Sequence, residues 1–139
     1  METYSLENNI KLLCVQAASF PEGVLAAHQQ ILLKTGTDDG RKFFGISYPG
    51  RDGRIIYMAA AEEKYDNEHT ALGFGSFTLK SGQYISIFIH DFYVHISAIG
   101  KAFTQLLTDP RIDPEGCCVE LYEGMSNVRC MVRLNPSQI

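Results

Sequence analysis

The 139-residue sequence has no Cys-x-x-Cys pair, no apolar run of bilayer length, no cluster of basic residues and no Gly-x-Ser-x-Gly string. Each absence closes a class of function. The four cysteines, Cys14, Cys117, Cys118 and Cys130, sit inside apolar β-type runs, away from the Cys/His spacings that hold zinc, so buried thiols and no metal site are expected. Adjacent Cys117 and Cys118 would point to opposite faces of a strand and cannot serve one site. Lys and Arg number 12 against 16 Asp and Glu, a formal net charge of -4. Scattered as they are, these bases do not form the footprint of a protein that neutralises phosphates, so no direct nucleic-acid partner is expected. No stretch approaches the roughly 20 apolar residues that cross a bilayer. The polar, acidic opening from Met1 to Asn9 does not read as a signal peptide, which leaves no membrane partner and a cytoplasmic location as the expectation. The missing Gly-x-Ser-x-Gly removes the commonest esterase route.

What is present fits an ordinary globular domain over residues 1–139, with 45% hydrophobic and 20% charged residues. Asn9 to Ala18 is a dense apolar run of strand length. Ser19-Phe20-Pro21-Glu22 then supplies Ser-x-x-Glu with a first-turn proline, which predicts a helix start. Val24, Leu25, Ala27, Ile31 and Leu32 recur at helical spacing, and Gly36 supplies a stop. After a turn-rich stretch over 37–40, the runs Lys42 to Tyr48 and Arg54 to Ala60 flank Pro49-Gly50-Arg51-Asp52-Gly53 and predict a hairpin. The charged tract Glu62 to Thr70 lacks apolar periodicity and reads as a solvated connection.

Phe77 to His90 resumes strand character, with Ser81-Gly82 placed to bend or break it. Ile85, Ile87 and Ile89 share one face; Tyr84, Ser86, Phe88 and His90 share the other. Ile96, Ile99, Phe103, Leu106 and Leu107 mark a second helix, ended by Asp109-Pro110. Last comes a hairpin, Cys117 to Tyr122 and Val128 to Leu134. The order strand, helix, strand, strand therefore occurs twice, in modules over about 9–61 and 76–135 joined by a connection over 62–75. The fold class is α+β: two strand-helix-strand-strand modules with pseudo-two-fold symmetry, forming an antiparallel sheet with the helices on one face and a groove on the other.

Glu120 is the conspicuous residue, an acid between Val119 and Leu121 in the middle of a strand. With a four-residue loop from Glu123 to Ser126, Val119 and Leu121 face the helices and Glu120 lies opposite Arg129 on the other face. Two readings follow: a carboxylate paired with Arg129, and a carboxylate facing a ligand. His90, at a strand end, either caps the following turn or donates to a ligand.

Phe44-Gly45-Ile46, the run Ile55 to Ala60, Ser81-Gly82-Gln83-Tyr84 through His90, and Val119-Glu120-Leu121-Tyr122 resemble, in order and spacing, the GyrI-like small-molecule-binding domain family. Its bacterial members include the effector-binding domains of AraC-type and MerR-type multidrug regulators, and this chain resembles a stand-alone form. The resemblance covers nearly the whole chain and implies two strand-helix-strand-strand (SHS2) modules with a ligand cleft between them. It places the cleft acid that receives lipophilic cations on Glu120, with Tyr57, Tyr84 and Phe88 as aromatic lining and Tyr122 and His90 as further ligand contacts. Members that open strained rings use a Tyr and a Glu, here Tyr57 or Tyr84 with Glu120. Others act as protein inhibitors, including of DNA gyrase. The chain has no Trp, which departs from members that carry tryptophan around the pocket. No DNA-binding segment flanks the domain, so a self-contained transcription regulator is not expected.

Three functions are therefore in play. The first is a binding module that holds a small, lipophilic and cationic molecule through aromatic contact and the Glu120 charge, without a cofactor. The second is a hydrolase in which Glu120 activates water and a tyrosine hydroxyl donates to the developing charge. The third is an interaction protein that blocks a protein partner through its acidic surface.

Overall fold

In the computed structural model, which describes residues 1–37 and 40–138, an antiparallel α+β fold divides into two units. One is Asn9–Leu79 and the other combines Met1–Asn8 with Lys80–Ile139. The turn expected over 37–40 lies partly outside the described residues.

The Asn9–Leu79 unit is built from β2 (Ile10–Gln16), α1 (Val24–Thr35), β3 (Phe43–Pro49), β4 (Ile55–Glu62), the short α2 (Glu68–Leu72) and β5 (Gly75–Leu79). Its strands lie in the order β3-β4-β2-β5. Strand alternation sends Leu13, Val15, Tyr57, Ala59 and Ala61 to one face, where α1 covers them with Ala27 and Ile31. Helix α1 begins later than the Ser-x-x-Glu signal predicts. The chain first makes a turn in which the Gly23 N–H donates to the Ser19 carbonyl at 3.1 Å, and the helix is entered at Gly23 without a side-chain cap. Gly23 is required there, because a Cβ would sit 2.8 Å from the Ser19 oxygen. Gly36 does stop the helix, its N–H donating to the Leu32 carbonyl at 2.9 Å.

The charged tract read as a solvated connection is instead fastened down. The Arg41 guanidinium grips Glu68 with two parallel bonds of 3.0 and 2.9 Å, and both residues are buried. Glu68 also accepts from the Lys64 N–H at 2.8 Å, and Arg41 donates to the Glu62 carbonyl at 3.1 Å. Glu63 accepts from the His69 ring at 2.9 Å and from its N–H at 3.2 Å. Burial raises the Glu63 pKa, but the His69 bonds outweigh it and hold the carboxyl below its usual range. This segment lacks apolar periodicity because polar bonds do its packing.

The second unit contains β1 (Glu2–Leu6), β6 (Gly82–Ile89), a 3-10 turn at Phe92–Val94, α3 (Ser97–Leu106), β7 (Cys118–Glu123) and β8 (Asn127–Arg133). Its strand order is β1-β6-β8-β7. Each unit thus repeats one plan: an edge strand beside a strand, a helix and a hairpin. The edge strands are exchanged relative to the chain. β1 runs into β2 but pairs with β6, and β5 runs towards β6 but pairs with β2. The run from Phe77 to His90 breaks between β5 and β6, beside the expected Ser81-Gly82, and the polar opening residues form a strand. Among the described residues no helix is long and apolar enough to cross a membrane.

Candidate functional site

In the second unit α3 packs Ala102 and Leu106 onto Ile85, Ile89, Val128, Cys130 and Val132, with Cys118 and Tyr122 beside them. The β7–β8 register pairs Glu120 with Cys130, Tyr122 with Val128 and Leu121 with Arg129. Glu120 therefore lies on the helix-covered face and Arg129 on the other, which overturns the expected opposition of the two. The cause is one residue of loop: Glu123 pairs with Asn127, so three residues, with Gly124 at φ 72°, turn the hairpin where four were expected. A one-residue change of register sends a side chain to the opposite face.

Glu120 is 8% exposed and lies opposite Cys130 across the hairpin. The Tyr122 hydroxyl donates to its Oε1 at 2.6 Å, and the Phe92 ring meets Tyr122 edge-on with centroids 5.4 Å apart. Two residues along one strand face bring that hydroxyl to the carboxylate. The Cys130 thiol registers the acid: burial first, then the Glu120 charge, pushes its pKa up to about 12. A carboxyl group thus lies on the helix-covered face with an aromatic hydroxyl fixing its direction.

Arg129 is engaged elsewhere. It donates to Glu123 at 2.9 Å, to Ser86 at 3.2 Å and to Glu2 at 3.4 Å. Its guanidinium lies 5.2 Å from the Tyr4 ring centroid and 5.0 Å from that of Phe88. His90 meets Phe88 edge-on at 4.7 Å. Tyr84 is 1% exposed, its hydroxyl donates to the Lys80 carbonyl at 2.5 Å, and burial raises its pKa. Tyr84, Phe88 and His90 therefore share the face of Arg129, and the β6–β8 register separates them from Glu120.

Tyr57 belongs to the Asn9–Leu79 unit. It is buried under α1 with its hydroxyl 2.7 Å from His28 Nε2, and it stacks on Phe20 at 5.7 Å with 23° between the planes. The sequence gives no sign of His28, because a lone histidine on an amphipathic helix has no visible partner there. Its pairing with Tyr57 exists only once α1 lies on β4. Among the described residues no group of three or more His, Cys, Asp or Glu is placed to hold a metal ion.

Two solved structures share this fold. An integron cassette protein from the mobile metagenome of Vibrio cholerae superposes with a TM-score of 0.70 at 13% identity, over 96% of this chain and 94% of that one. SAV2435, bound to tetraphenylphosphonium, gives a TM-score of 0.55 at 17% identity, over 95% of this chain and 93% of that one. At these identities the likeness establishes the fold. No protein-family model matches the sequence, and no curated protein matches it.

Proposed function

We propose that this protein binds a small, lipophilic, cationic molecule at Glu120. The observation that carries the reading is the carboxylate itself, 8% exposed on the helix-covered face of its sheet and oriented by the Tyr122 hydroxyl at 2.6 Å. Attraction between a cation and a carboxylate is strong where water is scarce, and an apolar cation loses little hydration on entering. Tyr122 holds the carboxylate in one orientation, and the Tyr122 and Phe92 rings offer faces and edges to the apolar groups of a ligand. The resemblance to GyrI-like domains and the tetraphenylphosphonium bound by SAV2435, which has the same fold, support this class of ligand. Calorimetric titration with tetraphenylphosphonium tests it. Glu120→Gln keeps the shape, removes the charge and is expected to weaken binding by about tenfold or more; undiminished affinity in that variant would sink the cationic reading.

A hydrolase reading keeps one observation in its favour, the tyrosine hydroxyl 2.6 Å from the acid. The tyrosine concerned is Tyr122. Turnover of an ester or strained-ring compound, lost in both Glu120→Gln and Tyr122→Phe, would support catalysis; turnover that persists in both would end it.

A further inference from the structure

The Asn9–Leu79 unit has a concave feature built wholly from its own residues. An open depression of about 1030 Å³ lies between the turn after β2 and the β3–β4 hairpin, large enough to hold a small molecule. One wall is Phe20, which is 44% exposed. Its ring is backed by Tyr57, which the His28 bond holds in place, so the aromatic wall is fixed before any ligand arrives.

The opposite wall is the hairpin turn. The Gly50 N–H donates to the Arg54 carbonyl at 2.7 Å and the Gly53 N–H to the Gly50 carbonyl at 3.1 Å. A Cβ on Gly50 would come within 3.0 Å of Ile56, so the turn and that side chain pack without slack. The rim carries Arg51, Asp52 and Arg54. Asp52 is committed to Arg54, with Oδ2 3.3 Å from its Nε and Oδ1 3.0 Å from its N–H. Two guanidiniums against one carboxylate leave a positive excess, that of Arg51, on a chain whose formal charge is -4.

We propose that this depression binds a small organic anion, a carboxylate carried on a flat apolar body. The ring stacks on Phe20 and packs against Ile55 and Ile56, while the carboxylate meets Arg51. A cation of the same shape meets like charge at the rim and is rejected.

Naphthoate titrated into the isotope-labelled full chain, followed by amide NMR, tests the assignment. Saturable shifts are expected at Ala17, Ala18, Phe20, Gly50 and Arg51, and naphthylmethylammonium should leave these amides unmoved. Arg51→Gln is expected to weaken naphthoate about threefold or more, and Phe20→Leu to weaken it with unchanged circular dichroism. Glu120→Gln should leave naphthoate binding intact and Arg51→Gln should leave tetraphenylphosphonium binding intact, so the two sites can fail separately. Shifts that do not saturate or that fall elsewhere, equal binding of the cation, or wild-type affinity in Arg51→Gln would overturn the proposal.

Discussion

Burial of His28, on the face of α1 that meets Tyr57, makes the stability of the Asn9–Leu79 unit depend on pH in a calculable way. Desolvation lowers the pKa of the folded imidazole from 6.5 to about 4. The unfolded imidazole takes up its proton near the unperturbed value and the folded one only much lower, so between these limits the unfolded state binds more protons. The contribution is therefore complete above the unfolded pKa and is lost as pH falls towards the folded one. From about pH 7 to about pH 5 the full shift corresponds to roughly 2 kcal/mol, and partial exposure of the ring reduces this to about 1 to 2 kcal/mol. Urea unfolding of the wild type and of His28→Gln, which keeps a polar partner for the Tyr57 hydroxyl but does not titrate, isolates the effect. The wild type should lose about 1 to 2 kcal/mol more than the variant over that range. Parallel losses in the two proteins refute the reasoning, as does an NMR titration midpoint for the ring at the unperturbed histidine value.

Glu68→Gln weakens the buried partner of Arg41 and is expected to cost about 3 kcal/mol in urea unfolding; in a double-mutant cycle, Arg41→Met with Glu68→Leu should cost less than the sum of the single changes. Gly23→Ala drives a Cβ into the Ser19 backbone and should destabilise by about 1 to 3 kcal/mol. Arg129→Ala removes the guanidinium that touches Tyr4 and Glu2, so amide exchange across Glu2–Leu6 should accelerate by about tenfold, with α1 unaffected. Glu120→Gln should keep the circular dichroism spectrum of the wild type while weakening tetraphenylphosphonium binding, which separates loss of the ligand carboxylate from loss of the fold.

Much of the architecture was legible from periodicity. Both principal helices, both hairpins and the isoleucine face of β6 follow from apolar spacing, because those side chains bury one stripe or one strand face. The helix ends were less so. The Ser19 signal sits ahead of a turn that places the first helical residue at Val24, and Leu25 and Leu32 of the expected stripe are 68% and 38% exposed. In α3, Ile99, Phe103 and Leu106 pack inward, whereas Ile96 and Leu107, which flank the helix, are 62% and 50% exposed. Glu2–Leu6 escaped notice because an edge strand buries little and its partner, β6, comes some eighty residues later in the chain.

The sequence by itself determined the repeated order of elements, the apolar faces that bind each helix to its strands, and the presence of one acid in a strand. Only the tertiary structure decided which way that acid points. Side chains alternate with every residue, so a three-residue turn in place of four carries Glu120 to the face covered by α3, beside Tyr122, and leaves Arg129 to Glu123, Phe88 and Tyr4. Loop length is a local detail, but pairing across the hairpin fixes it, and pairing is a property of the folded sheet.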